Sequence, residues 1–250
     1  IPVYNNILLT AKCLKSLSHA RLIDQCEILI IDDSSTDETR NFLSGISGIK
    51  YLRNERNIGF IGSCNRGAES ASGQYLLFLN NDTEVAEDWL AELSRTFENF
   101  PDAGLVGSRL VYPSGRLQEA GAIVWSDASA WNWRNKTNPN HPDASYLRDV
   151  DYVSGASIMV PRALFHALGG FDTRYQHSFY EDTDLAMSVR AAGYRVLYQP
   201  LSSVIHHEGA SSGKKKGVGT KRFQDVNRAI FAEKWQDALA RHHTPGVDPL

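Results

Sequence analysis

Short apolar runs that end abruptly in Asp, Asn and Ser, and that alternate with helical stretches, constrain this chain more than any other feature. Glu27 to Ile31 is a strand-sized apolar run that passes straight into Asp32-Asp33-Ser34-Ser35-Thr36-Asp37, and Tyr75 to Leu79 stops at Asn80-Asn81-Asp82. Between them the spacing predicts helices. Leu9, Cys13, Leu14 and Leu17 share one face of a helix over Leu8 to Ala20, a second helix runs from Glu38 to Leu43, and a third covers Ile61 to Ser70. Ile1 to Val3 reads as the end of a strand and Lys50 to Arg53 as another strand. Strands and helices alternating in this way build a sheet from βαβ units, and open α/β sheets bind ligands beyond the carboxyl ends of their strands. The polar clusters sit at those ends.

After a surface helix over residues 88 to 99 the texture changes. Gly104 to Val111 and Ala122 to Val124 are strand candidates, and the polar stretch Ser126 to Asp149, with Trp131 and Trp133, reads as one long functional loop. Order returns with a strand over Tyr152 to Val160, then helices over Pro161 to Leu168 and Thr183 to Ala192. A strand over Tyr194 to Tyr198 leads into Val204-Ile205-His206-His207. A basic segment, Ser211 to Arg222, precedes a final helix over Gln224 to Arg241. At 250 residues, 42% of them hydrophobic, the chain fits one large domain and excludes a disordered or fibrous protein.

Charge and cysteine usage narrow the function. Lys plus Arg total 26 against 29 Asp plus Glu, a net charge of −3 that gives no general attraction to nucleic acid. Cys13, Cys26 and Cys64 show no C-x-x-C spacing, so neither a disulfide framework nor a zinc site is indicated, and a reducing cytoplasmic setting is expected. No apolar run approaches the roughly 18 residues of a membrane span, and no signal-peptide pattern is read. The opening Ile1-Pro2-Val3-Tyr4, without Met, is what a catalytic module excised from a longer protein would show. Further domains, and association with the cytoplasmic face of an inner membrane, would then be encoded elsewhere.

Four polar clusters carry the candidate chemistry: Asp32/Asp33, Asn80/Asn81/Asp82, Glu181/Asp182/Asp184 and His206/His207. Each has a structural alternative. Asp at a helix start is a cap, Asn-Asn-Asp after a strand is a turn, and carboxylates in a first helical turn answer the helix dipole. Their convergence on one crevice favours a functional reading. Carboxylate with imidazole suits Mg²⁺ or Mn²⁺ held together with phosphate oxygens. No G-x-x-x-x-G-K-[ST], G-x-G-x-x-G or G-x-S-x-G motif occurs, which argues against P-loop, dinucleotide-binding and α/β-hydrolase proteins. A metal-bound diphosphate with a separate carboxylate base remains, the chemistry of group transfer from a nucleotide diphosphate to a hydroxyl.

In order along the chain stand Pro2-Val3-Tyr4-Asn5, Ile31-Asp32-Asp33-Ser34-Ser35-Thr36-Asp37, Arg53 to Phe60, and Phe78-Leu79-Asn80-Asn81-Asp82. Gly155-Ala156, Gly169-Gly170-Phe171-Asp172, Tyr180 to Leu185, Ala192-Gly193-Tyr194 and His206-x-x-Gly209-x-Ser211 follow. This series resembles the family 2 inverting glycosyltransferases, and most of all the bacterial, rhamnosyltransferase-like enzymes of O-antigen and other cell-surface polysaccharide synthesis. The resemblance implies a GT-A fold, an α/β single domain with a Rossmann-like mixed sheet flanked by helices. A nucleotide-sugar-binding half over residues 1–105 would be fused to an acceptor-binding and catalytic half over 106–212, with 213–250 a basic flexible segment and a C-terminal helix.

The resemblance also implies residue roles. Pro2, Tyr4, Asn5, Asp33, Asn57, Gly59 and Asn65 would form the nucleoside pocket, with Asn80 and Asn81 beside the diphosphate. Asp82 and His206 would bind a divalent metal, Mn²⁺ in preference to Mg²⁺; Asn80 stands where the family's D-x-D motif has its first Asp. Asp182 would be the general base, with Glu181 its rival. Gly155 and Ala156 would face the sugars, Trp131 and Trp133 would offer stacking faces, and Lys214, Lys215 and Lys216 would form a lid over the diphosphate. The partners implied are a nucleotide-sugar donor, carrying uridine or deoxythymidine, and a glycan or lipid-linked acceptor. Two other classes stay open: a catalytically silent glycan-binding or scaffolding module, and a sugar-nucleotide pyrophosphorylase. The latter requires a Gly-rich basic loop after the first strand, where this chain has Tyr4-Asn5-Asn6-Ile7.

Overall fold

In a computed structural model that describes residues 1–175, 178–208 and 223–247, the first alternation forms two parallel crossovers. β1 (Pro2–Val3) is followed by α1 (Ile7–Leu17), β2 (Leu29–Asp32), α2 (Thr39–Ser44), β3 (Lys50–Arg53) and α3 (Gly59–Ser70). The three strands pair in the order β1-β2-β3, with Val3 opposite Asp32 and Asp32 opposite Arg53, so their carboxyl ends share one edge.

The remaining chain builds a larger mixed sheet. β4 (Tyr75–Leu79), β5 (Thr83–Val85), α4 (Trp89–Asn99), β6 (Ala103–Val111) and β7 (Leu117–Glu119) lead to a hairpin of β8 (Ala122–Val124) and β9 (Ala130–Asn132). Then come β10 (Arg148–Asp149), β11 (Ser157–Pro161), α5 (Arg162–Ala167), α6 (Glu181–Ala191), β12 (Arg195–His206), α7 (Gln224–Lys234) and α8 (Gln236–Leu239). The sheet runs β10-β12-β6-β11-β4, with β5 added on β12 and β7 on β6.

Side-chain alternation along the central strands feeds a core on each face. Leu76 and Phe78 of β4, Leu105 of β6 and Ile158 and Val160 of β11 meet α3, α5, α6 and α7 through Ile61, Phe165, Leu185 and Phe231. Leu79, Val106 and Met159 point the other way, onto Cys13 and Leu17 of α1 and Trp89, Leu93 and Phe97 of α4. Full burial of one such side chain is worth about 1.5–3 kcal/mol. No helix among the described residues is long and apolar enough to cross a membrane.

Several boundaries differ from the sequence reading, each for a physical reason. The strand expected over Tyr152 to Val160 begins only at Ser157, because the amides of Ser154 and Gly155 donate to carboxylates instead of a neighbouring strand. The strand expected to stop at Tyr198 continues to His206, with a register break between Gln199 and Ser203 around Pro200, which has no N–H to give to the ladder. The stretch Ser126 to Asp149 is not one loop: it contains β9 and β10. The final helix breaks at Trp235, whose indole N–H is drawn to Asp184 Oδ1 at 2.7 Å. Residues 105 and 106 lie inside β6, and β4 and β5 from before them pair in the same sheet as β10, β11 and β12 from after them.

Gly107 marks the tightest point of that sheet. A Cβ there would lie 2.3 Å from Val153 Cβ, just before the Ser154–Gly155 turn. Gly107→Ala should destabilise the fold by about 1–3 kcal/mol, read as a lower urea midpoint at unchanged slope. An unchanged midpoint would show that the Val153 backbone yields freely.

Candidate active site

The strand ends open onto a cavity of about 670 Å³ lined from both halves of the chain. Pro2, Tyr4, Asp33, Asn57 and Gly59 form one wall, Asn80, Asn81, Asp82 and His206 the middle, and Gly155, Ala156, Glu181 and Asp182 the opposite wall. Thus most residues singled out in the sequence meet at one place.

The first wall is built around two buried Asp residues with different tasks. Asp32 accepts from Ser35 N at 2.8 Å and Tyr51 Oη at 2.6 Å and pairs with Arg53. Burial pushes its pKa up, but these partners outweigh burial and hold it below the ordinary value. It is therefore a structural anchor for the turn after β2. Asp33 Oδ1 accepts from Asn54 Nδ2 at 2.7 Å and Ile58 N at 2.8 Å, and its Oδ2 accepts from Gly59 N at 2.8 Å. With about four acceptor positions on a carboxylate, Asp33 shapes the wall and keeps limited capacity for a ligand.

Asn5 and Asn65 do not line the cavity. Asn5 accepts from Thr36 N at 2.7 Å and donates its own amide to Ser35 Oγ at 2.8 Å, tying the turn after β1 to that after β2. Asn65 spends both ends of its amide on Phe171, donating to its carbonyl at 2.8 Å and accepting from its N–H at 2.9 Å. Both act on the pocket from behind.

In the middle, Asp82 Oδ1 and His206 Nε2 stand 3.2 Å apart. The pairing of β5 with β12, His206 opposite Thr83, brings them together. His207 is turned away and engages Glu84 at 2.7 Å, so of the two imidazoles only His206 shares the cavity with Asp82. Asn81 is held by Thr10 Oγ1 at 2.9 Å, while Asn80 Oδ1 and His206 Nδ1 are buried without hydrogen-bond partners among the described residues. No group of three or more His, Cys, Asp or Glu able to hold a metal occurs among the described residues. One carboxylate, one imidazole and a neutral amide oxygen fit a divalent ion that completes its shell with oxygens of a bound ligand.

The opposite wall carries the base candidates. Asp182 Oδ2 accepts from Gly155 N at 2.9 Å and its Oδ1 from Thr183 N at 2.7 Å. Burial raises its pKa, and these hydrogen bonds oppose the rise. Glu181 is buried with Oε2 unpartnered among the described residues. Burial first, and the Asp182 charge second, hold its pKa well above the ordinary value. Of the two carboxylates, Asp182 is thus the one equipped to ionise. Both begin α6 directly after Phe179 and Tyr180, whose φ values of 76° and 73° are left-handed. Such a conformation costs about 1–3 kcal/mol per non-glycine residue and persists only where the surroundings enforce it.

Trp131 and Trp133 do not line the cavity. Trp131 is half-exposed on β9 and meets Trp125 edge-on at 5.2 Å, while its neighbours Ala130 and Asn132 reach the cavity. Trp133 packs beside Leu117 and Tyr198 in a small core. Lys214, Lys215 and Lys216 lie outside the described residues.

Sequence reasoning missed Glu119. It is fully buried at the end of β7, and its Oε1 accepts from Ser154 N at 2.8 Å, one residue before the amide that serves Asp182. Its signal in the sequence was weak: a charged residue between Leu117 and Ala120, two positions before Gly121. Burial, opposed by the Ser154 hydrogen bond and reinforced by the nearby Asp182 charge, raises its pKa to about 8.

A model described as glycosyl transferase family 2 matches residues 1–169. The O-antigen biosynthesis protein RfbC of Myxococcus xanthus is 37% identical over 155 residues, 59% of this chain and 12% of that protein. The N-acetylglucosaminyl-diphospho-decaprenol L-rhamnosyltransferase of Mycobacterium tuberculosis is 26% identical over 211 residues, 75% of this chain and 68% of that protein. Among solved structures, GalNAc-T7 with UDP, GalNAc and Mn²⁺ superposes with a TM-score of 0.75 at 19% identity, over 96% of this chain and 48% of that one. The chain thus spans an eighth of RfbC and about half of GalNAc-T7.

The folded chain binds a proton at Glu119 that the unfolded chain has released, so stability falls as pH rises from about 4.5 to about 8. Glu119→Gln keeps the Ser154 contact and removes this titration. Across that window the variant's melting temperature should fall less than the wild type's, leaving it more stable at the alkaline end by at least about 1 kcal/mol. Parallel curves would refute the assignment.

Proposed function

The chain belongs to glycosyl transferase family 2 and has its GT-A fold, and from that premise we propose that it transfers a sugar, with inversion, from a nucleotide diphosphate to an acceptor hydroxyl. The observation that carries this reading is the placement of Asp82 and His206 beside the nucleotide wall, with Asp182 on the wall across the same cavity. A diphosphate leaving group and an attacking hydroxyl need opposite faces of the anomeric carbon, and the cavity provides one carboxylate for each side.

Pro2, Tyr4 and Asn57 would contact the nucleoside, a uridine or deoxythymidine, with Asp33 and Gly59 shaping the pocket. Asp82, His206 and the unpartnered Asn80 Oδ1 would hold Mn²⁺, which, when bound, supplies Lewis-acid stabilisation of charge on the departing diphosphate. Asp182 Oδ1 or Oδ2 takes the proton of the acceptor hydroxyl as it attacks, while the Gly155 and Thr183 amides keep the carboxylate oriented. Burial and the Asp182 charge raise the pKa of Glu181 well above its ordinary value, which favours Asp182 as the base. Asn132 lines the cavity beside the half-exposed Trp131, and this side would receive the acceptor. A glycan or lipid-linked saccharide of bacterial cell-surface polysaccharide synthesis, at the cytoplasmic face of the membrane, is the acceptor we propose. The Myxococcus and Mycobacterium relatives support this class of acceptor.

Asp182→Asn should lower turnover at least about 10²-fold while UDP affinity in Mn²⁺, measured by calorimetry, stays within about twofold. Substantial residual turnover would remove Asp182 as the base. Because its pKa is raised, the wild-type rate should fall on acidification at a higher pH than an ordinary Asp would give. Turnover on a panel of UDP- and dTDP-sugars should disappear in EDTA and return with Mn²⁺ more fully than with Mg²⁺; full activity in EDTA would overturn the metal assignment.

A further inference from the structure

The left-handed turn before Asp182 is held from outside its own segment. Asn227 of α7, completely buried, donates from Nδ2 to Ser178 O and Phe179 O, both at 2.9 Å. One helical turn later the Phe231 ring lies 5.2 Å from the Tyr180 ring, and Tyr180 Oη donates to Ala128 O at 2.9 Å. A further turn along, Lys234 Nζ and Trp235 Nε1 each reach Asp184 at 2.7 Å. Positions 227, 231, 234 and 235 form a single stripe at helical spacing, so one face of α7 engages the turn, the base-bearing end of α6 and the first turn behind it. The described part of α7 shows no other buried polar side chain.

We propose that Asn227 is a positioning residue for the transfer reaction, whose amide fixes the Phe179–Tyr180 turn and so sets where the Asp182 carboxylate stands. The inference rests on Asp182 being the base. Phe179 and Tyr180 are not glycines, and nothing local favours φ values of 76° and 73° at two successive positions. The two carbonyls that Asn227 receives are those of Ser178 and Phe179, so its amide grips the chain where the left-handed conformation begins. Without it, the turn is free to relax toward ordinary backbone angles, carrying Glu181 and Asp182 with it. The Gly155 hydrogen bond to Asp182 and the Tyr180 contacts with Ala128 O and Phe231 would remain, but none of them engages the Ser178 and Phe179 carbonyls where the turn begins. A displacement of about 1 Å in a reacting group is enough for a 10²-fold loss of rate.

Asn227→Leu keeps the buried volume and removes both donors, and Asn227→Asp keeps the shape. Using the UDP- or dTDP-sugar that the wild-type chain turns over fastest with Mn²⁺, each variant should lose at least about tenfold in kcat. The KM for that sugar nucleotide and the Kd for UDP with Mn²⁺ should stay within about twofold. Added to Asp182→Asn, either change should lower the residual rate by less than about twofold, because the base through which it acts is already gone. Wild-type kcat in a folded variant, a parallel loss of UDP affinity, or a full further loss on top of Asp182→Asn would overturn the inference. So would loss of the near-ultraviolet circular dichroism in both variants, since Asn227 would then hold the whole fold rather than this turn. An active Asp182→Asn sinks the base assignment itself; an inactive one beside a fully active Asn227→Leu sinks only the positioning role.

Discussion

Everything at the site depends on the antiparallel pairing of β4 with β11. Leu79 stands opposite Ser157, and one further hydrogen bond, from Asn80 N to Ala156 O at 3.0 Å, carries the pairing past both strand ends. That bond joins Asn80-Asn81-Asp82 to the Ser154–Gly155 turn, and so the middle of the cavity to the wall that carries Asp182. A slip of one residue would turn Leu76, Phe78, Ile158 and Val160 away from their core and exchange them with Leu79 and Met159. Because both faces of the strands are packed, the register is fixed by apolar side chains that take no part in the chemistry. The polar residues inherit their placement from that packing.

At the base end, burial acts on three carboxylates at once and hydrogen bonding decides between them. Glu119, Glu181 and Asp182 are all pushed toward the neutral form by loss of water. Glu119 receives one backbone amide and Asp182 receives two. The Ser154 and Gly155 amides are adjacent, so a single turn steadies two carboxylates that repel each other. Burial and the Asp182 charge both raise the pKa values of Glu119 and Glu181, which disfavours their charged forms beside Asp182. Asp182 also sits at the amino end of α6, where the helix dipole favours a negative group. An aspartate with a raised pKa in such a setting changes charge closer to neutral pH than an exposed one.

The alternation of apolar runs and polar strand ends made the GT-A architecture and most of the cavity legible, because strand ends and helix starts follow from local pattern. Asp33, Asn57, Asn80, Asp82, Asp182 and His206 all reach the cavity. Asn65 and Asn5 were indistinguishable from ligand-binding amides in sequence, and only their partners, Phe171 and the Thr36 turn, show them to be ties behind the wall. Trp133 could equally have stacked on a sugar, and its place beside Leu117 and Tyr198 follows from tertiary packing alone. Glu119 was hidden for the opposite reason: a lone Glu at the end of a short strand looks solvent-facing unless that end of β7 is known to lie against Ser154.

The family match ends at residue 169, before Glu181, Asp182, His206 and α7. A nucleotide wall made of strand, turn and helix in immediate succession can be specified locally. The carboxylate pair Glu181–Asp182, at a helix start behind a left-handed turn, cannot, since the backbone there opposes its own conformation and must be held by remote contacts. In this chain those contacts come from three directions: the Gly155 amide, Asn227 of α7, and Ala128 O, which accepts the Tyr180 hydroxyl. Ala128 lies in the loop of the β8–β9 hairpin, whose Ala130 and Asn132 line the cavity. That hairpin is therefore hydrogen-bonded to the residue preceding Glu181 and Asp182. A change in the β8–β9 loop that displaces Ala128 O would also bear on the Phe179–Tyr180 turn and on the Glu181–Asp182 end of α6.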